Sequence, residues 1–393
     1  MSQSSAKNPY RPGVGTPPLV LAGRDKAIQR FSAVLRAAPE LPANMRLTGL
    51  RGVGKTVLLH KFSEEATVAG WYPKLMELQP GHNTEASLMA VLQGLLTDIR
   101  AQISTSERLK QAVGNVVKNA TSLSVTWQDI TLAFDPTSGH NNDLAKDLFD
   151  TTKLATENGF KGLVLLLDEA QVIKDDANNR GEHPLSMLIA CVAGLQRSGV
   201  PLGLVVCGLP TLTSNLLRAR SYSERMFRGE EIASLKEVEA RQALRGPLDT
   251  TNFTATNELI DGVVKEVEGY PYFIQLWGAE LWDAATIAGV SEFTPNLLDA
   301  IRDDIYRRLD LDFYEPRVKT LTPSEQDVLL DSTKCSYPPL TASEMKDTGS
   351  KSPGNINVLI GRLVEAGVLY RVRQGQYEYT APKFRDYLER QPH

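Results

Sequence analysis

Apolar runs alternate with helically spaced segments along the first half of the chain. "NMRLTGL" reads as a buried strand, and "KTVLLHKFSEEATVAG" reads as the helix after it. "WYPKLMELQ" predicts a second strand, and "TEASLMAVLQGLLTDIRAQI" a long amphipathic helix. "SLSVTWQDITLAFDP" alternates at period two and predicts a β-hairpin inserted between helices, at about 121–135. "NDLAKDLFDTTKLATENG" reads as a helix. "GLVLLLDEAQ" is an unbroken apolar run ending in two carboxylates, as a central parallel strand would be. "PLSMLIACVAGLQRSG" and "PLGLVVCGLP" add one more helix and one more buried strand. Strands alternating with helices predict a doubly wound α/β layer with a parallel sheet.

The pattern changes near Leu235. The β signals vanish there, and "EVEARQALRGPL", "NELIDGVVKEVEG", "YFIQLWGAELWDAA" and "TPNLLDAIRDDIYRRLD" predict a helical subdomain. A third unit starts near Phe313, with three short helices and a strand pair, "VLYRVRQGQYEYT", turning at Gln374 and Gly375. The expected organisation is an extended Pro/Gly/Ser-rich arm over 1–20, an α/β domain over 21–234, a helical lid over 235–312 and a C-terminal domain over 313–393.

A chain of 393 residues exceeds one ordinary core, which fits that division. Hydrophobic content of 42% and charged content of 23% are those of a globular protein. The net charge of −4 does not advertise a nucleic-acid binder and does not exclude one, because a small basic face can sit within an acidic total. Cys191, Cys207 and Cys335 lie far apart without a CxxC pair, so each is expected as a small buried apolar side chain in a reducing compartment. The N-terminus lacks the apolar core of a signal peptide, and no run is long enough to span a bilayer. The expected location is the cytoplasm, with no membrane partner.

"GLRGVGKT" then carries the chemistry. Gly49, Gly54, Lys55 and Thr56 fit G-x-x-x-x-G-K-[ST], placed between a predicted strand and a predicted helix. The glycines let the backbone turn so that successive N–H groups point at phosphate oxygens, and the helix adds its positive end. Gly49, Leu50, Arg51, Gly52, Val53, Gly54, Lys55, Thr56 and Val57 are therefore the expected phosphate cradle. Lys55 would reach the β- and γ-phosphates, and the Thr56 hydroxyl would hold Mg²⁺. Such a site needs an acid at the end of a neighbouring strand. Asp168 is placed to hold the metal and Glu169 to polarise the attacking water. A base beside the cradle predicts ATP hydrolysis, slow or partner-stimulated, rather than passive sensing.

These residues resemble the AAA+ ATPases, in the branch of origin-recognition initiators that grades into STAND-type signalling ATPases. The resemblance covers nearly the whole chain and implies a P-loop α/β domain, a helical lid and a winged helix, with ATP and Mg²⁺ as cofactors. In that branch a "GR[DE]" element lies near the adenine, and Gly23, Arg24 and Asp25 match it, with the N-terminal arm folding over the base. The family's polar sensor follows the strand "LGLVVCGLP", where Thr211 is the candidate and no Asn is present. "SYSERMFRGEEI" resembles the segment bearing an arginine finger, with Arg225 the best match and Arg228 second. This implies a homo-oligomer or partner protein that receives it. The initiators' second sensor arginine is missing, with Tyr272 in its place. Gly269, Tyr270 and Pro271 resemble the G-x-P element of STAND ATPases, which implies a nucleotide contact by Tyr270 and Pro271.

In the C-terminal unit, Ile356, Leu359, Ile360, Leu363 and Val364 share one helix face. Two shorter helices, this helix and the hairpin make a winged helix-turn-helix. Its exposed face would show Ser352, Asn355, Asn357 and Arg362, with Arg371 and Arg373 near the wing tip, able to contact base edges and phosphates of double-stranded DNA. Eleven basic and nine acidic side chains between Pro316 and His393 leave a net charge of only +2. Two readings therefore stand side by side. One is an ATP-driven switch working on DNA; the other is a STAND-like regulator whose winged helix docks protein or inhibits its own nucleotide domain.

Overall fold

The computed structural model describes residues 7–13, 15–105, 139–175, 181–349 and 353–391. The expected hairpin at about 121–135 and Ser352 lie outside them. The chain folds as two compact units. One holds residues 24–49 and 55–232, and the other holds 1–23, 50–54 and 233–393.

The first unit is built on α1 (Asp25–Arg36), β1 (Ala43–Gly49), α2 (Lys55–Val68), β2 (Tyr72–Glu77), α3 (Glu85–Thr105) and α4 (Gly139–Glu157). It continues with β3 (Leu163–Asp168), α5 (Pro184–Arg197), β4 (Leu202–Gly208), α6 (Thr211–Ala219), α7 (Ser223–Met226) and β5 (Arg228–Ile232). The five strands form one parallel sheet in the order β2-β3-β4-β1-β5. Every residue of β3 and β4 is buried, as their unbroken apolar runs require of strands covered on both faces. Leu88, Leu92, Leu96, Ile99 and Ile103 recur along one stripe of α3 and are buried in the same core. Phe31 of α1 stacks on Phe62 of α2 with ring centroids 4.2 Å apart. Cys191 and Cys207 are buried here, and Cys335 is buried in the other unit, all three as free thiols.

β5 is a strand that periodicity does not reveal. Its sequence, Arg-Gly-Glu-Glu-Ile, is charged and mostly exposed, pairing on one side with β1. A strand at a sheet edge is free to carry charge, and charge there blocks pairing with other chains.

The second unit holds α8 (Glu237–Arg245), β6 (Thr254–Ala255), α9 (Asn257–Val267), α10 (Pro271–Ala288), β7 (Glu292–Phe293) and α11 (Pro295–Leu309). Against the expectation of purely helical structure after Leu235, β6 and β7 form a two-residue parallel pair. The N-terminal arm is fastened to these helices. Asn8 Nδ2 donates to the Ala279 carbonyl at 3.2 Å, and the Arg11 amide donates to Gln275 Oε1 at 3.0 Å. Tyr10 donates to the Leu244 carbonyl and is buried where a Cβ on Gly278 would overlap its ring.

A single π-turn, Asp310–Tyr314, leads into α12 (Glu315–Lys319), α13 (Pro323–Asp331), β8 (Leu340–Thr341), α14 (Ala342–Thr348) and α15 (Pro353–Glu365). β9 (Leu369–Arg373), β10 (Gln376–Tyr379) and a last helix, α16 (Phe384–Glu389), complete the chain. β9 and β10 pair antiparallel, and β8 joins them as a third strand, too short to show in the hydrophobic pattern. Among the described residues no helix is long and apolar enough to cross a membrane.

Candidate nucleotide-binding site

Parallel pairing places the carboxyl ends of β1, β3 and β4 along one edge of the sheet. Lys55 opens α2 and is buried, 6% exposed. Thr56 follows, and its hydroxyl donates to Asp168 Oδ2 at 2.6 Å, so the helix start and the end of β3 meet. Asp168 is itself 3% exposed. Burial first, and then the Asp168 carboxylate, push the Cys207 thiol well above its usual range; the nearby Lys55 ammonium acts in the opposite sense.

Glu169 departs from ordinary backbone geometry, with φ 53° and ψ 30°, in the left-handed region that side chains with a Cβ avoid. Its amide donates to Asp168 Oδ1 at 2.9 Å. Its carboxylate accepts from Gln171 Nε2, while Gln171 Oε1 accepts the Leu209 amide at 3.0 Å. Gln171 therefore ties Glu169 to the end of β4, a role that no sequence motif assigns to it. The signal lies in Gly208, where any Cβ would overlap the Gln171 side-chain oxygen.

The loop before Lys55 adopts the conformation its glycines allow. Gly52 and Gly54 have φ of +77° and +89°, and nothing lies within 4 Å of where a Cβ on Gly54 would sit. Residues 50–54 group with the second unit, where Tyr270 donates its hydroxyl to the Arg51 carbonyl at 2.5 Å. Tyr270 is 2% exposed, and burial pushes its pKa up to about 12. Pro271 occupies the first turn of α10, where a missing N–H does no harm. Arg317 lies over the Phe313 ring, 3.5 Å from its centroid, and donates to the Phe313 carbonyl at 2.6 Å. Burial lowers its pKa, with Arg51 adding in the same direction. No sequence signal connects Arg317 with the loop.

Gly23 is left-handed at φ 69° and abuts Glu239 in the second unit, while Arg24 is buried at the start of α1. Thr211 is the first residue of α6. Arg225 and Arg228 are exposed, and Glu230 pairs with Arg30 rather than with either of them. Asn355, Asn357, Arg362, Arg371 and Arg373 are all exposed. Arg371 donates to the Tyr377 hydroxyl at 3.4 Å.

The residues present fit Mg²⁺. That ion is typically held by one or two carboxylates together with substrate phosphates, not by a cage of protein ligands. A hydroxyl and a carboxylate already in contact supply hard oxygens of that kind. Among the described residues no cluster of three or more His, Cys, Asp or Glu could hold a metal by itself.

A parallel sheet with this strand order, a glycine loop between β1 and α2, and acids ending β3, one strand removed from β1 across β4, define a P-loop nucleotide-binding fold. Residues 20–206 match the AAA ATPase domain family, and ATP hydrolysis is the activity that this match supports. Residues 311–388 match a domain of unknown function. No curated protein matches the chain. Among solved structures, a Walker-type ATPase of Pyrococcus abyssi is similar in fold at 15% identity, covering 94% of this chain and 96% of that one with a TM-score of 0.58. The ORC2 protein of Aeropyrum pernix, solved in ADPNP–ADP complexes, is similar at 12% identity, with 96% of each chain covered and a TM-score of 0.54.

Proposed function

We propose that the chain is an ATP-driven switch whose C-terminal winged helix acts on double-stranded DNA. The observation that carries the hydrolytic half is the Thr56–Asp168 contact beside a strained Glu169. In this reading the loop amides and Lys55 bind the β- and γ-phosphates, and Thr56 and Asp168 hold Mg²⁺. When bound, the ion supplies charge neutralisation on the phosphate oxygens. Glu169 accepts a proton from the attacking water, and Gln171 fixes the carboxylate so that its free oxygen faces that water. Strain at a residue of this kind is a common mark of function. In the same reading Arg225, exposed on the short helix α7, is the arginine offered to a neighbouring subunit's nucleotide.

α13, α14 and α15 followed by the β9–β10 hairpin support the winged-helix reading. Asn355 and Arg362 project from exposed positions of α15, and Arg371 and Arg373 from β9. These are side chains that can pair with base edges and phosphates. A second reading, protein docking by the same face, is favoured by Val358 and Val372, which are 56% and 41% exposed among those polar residues. A titration of duplex DNA with and without ATP, at several salt concentrations, separates the two. The DNA reading requires an affinity that falls with salt; absence of salt-dependent binding in either nucleotide state leaves protein docking.

A further inference from the structure

Tyr270 sits at a joint built to hold one orientation. Two consecutive residues before it, Glu268 and Gly269, are left-handed, with φ of 48° and 69°. The Tyr270 amide returns to the Val267 carbonyl at 2.8 Å, and the Gly269 carbonyl accepts the Leu235 amide at 2.8 Å. A Cβ on Gly269 would run into the Leu235 carbonyl, so only glycine fits there. Pro271 fixes the chain on the other side as α10 begins. The ring is then wedged edge-on against Phe273 and Phe313, at centroid distances of 4.8 and 6.2 Å. A buried phenol held this firmly points its hydroxyl in one direction, and that direction is the Arg51 carbonyl.

The consequence lies in the peptide unit itself. In a trans peptide the carbonyl and the following N–H point in opposite directions within one plane. Fixing the Arg51 carbonyl on Tyr270 therefore fixes the Gly52 N–H in the reverse sense, away from the ring. Gly52 has φ +77°, and a Cβ there would overlap the Tyr270 hydroxyl and ring. The glycine thus admits the tyrosine as well as the turn.

We propose that Tyr270 is a positioning residue for the phosphate loop, its hydroxyl holding the Arg51–Gly52 peptide so that the Gly52 amide is presented to phosphate. This rests on the reading of Gly49–Thr56 as a triphosphate cradle. It differs from a contact of Tyr270 with the base, because Tyr270 acts through main chain and is felt by any ligand with phosphates.

The test is displacement of a fluorescent ATP analogue from the full chain by ATP, by inorganic tripolyphosphate and by adenosine. It compares the parent with Tyr270→Phe and Lys55→Ala, and each variant's fold is checked by circular dichroism. Tyr270→Phe keeps the ring and its packing. It is expected to weaken ATP and tripolyphosphate alike by about five- to tenfold, the worth of one net hydrogen bond, and to leave adenosine unchanged. Hydrolysis at saturating ATP should stay within about twofold, so that the effect falls on KM. Equal tripolyphosphate affinity in the parent and Tyr270→Phe overturns the inference, as does a loss confined to adenosine. Parent-like ATP binding by Lys55→Ala overturns the cradle reading itself, and the inference with it.

Discussion

Thr56 donates its hydroxyl to Asp168 across 2.6 Å, although the two are 112 positions apart in the chain. The contact exists because β3 ends level with the first turn of α2, and it sets two oxygens where a divalent cation would be shared. Asp168→Ala is expected to lower magnesium-dependent phosphate release at least about 100-fold. Nucleotide binding measured in a chelator should remain. Unchanged release after the substitution would show that the pair is structural.

Glu169 yields two expectations that pull apart. Glu169→Gln should bind ATP as the parent does and hydrolyse it about 10² to 10⁴ times more slowly, the usual contribution of a general base. Glu169→Gly should lose hydrolysis equally, yet unfold no earlier than the parent. A left-handed residue with a side chain costs about 1–2 kcal/mol, and glycine escapes that cost. Chemical denaturation beside a phosphate-release assay measures both.

Gln171→Leu removes the link between Glu169 and the Leu209 amide. The expected result is a kcat reduced about tenfold or more, with KM nearly unchanged, because the carboxylate loses its orientation while the phosphate loop is untouched. A rise in KM with a constant kcat would remove Gln171 from this role.

Arg371 and Arg373 changed together to Glu should weaken duplex binding and make its salt dependence shallower, by about one unit of slope for each phosphate no longer paired. Fluorescence anisotropy over a range of salt measures this. The same double change should leave ATP hydrolysis without DNA as it was.

Phe62→Ala tests the core rather than the site. The ring is fully buried and stacked on Phe31, so its loss should lower the unfolding free energy by about 3–5 kcal/mol. Thermal denaturation with and without nucleotide gives the value.

Much of the α/β layer is legible directly from residue order. "LVLLLD" is a central strand because nothing but a buried position suits five consecutive apolar residues, and the acid that ends it stands at the sheet edge. β5 is not legible that way, since an edge strand is under no pressure to be apolar and "RGEEI" resembles a loop. The phosphate loop declares itself through spacing alone. Gln171 is visible beside Glu169, but its function depends on a gap left by Gly208 on another strand. Tyr270 stands out as a nucleotide contact, whereas its partner Arg51 lies 219 positions away and no local pattern joins them. Arg317 escapes notice for the same reason. Side chains selected for chemistry by distant neighbours leave no periodic trace.

The charged edge strand has a bearing on how the molecule behaves in company. Along β5, Arg228, Glu230 and Glu231 stand on a backbone whose one described partner is β1. An uncharged Val- or Thr-rich version would offer a ready template to any extended segment nearby. The carboxylates and the guanidinium thus act as a fence, keeping a sheet built for nucleotide chemistry from growing by one more strand.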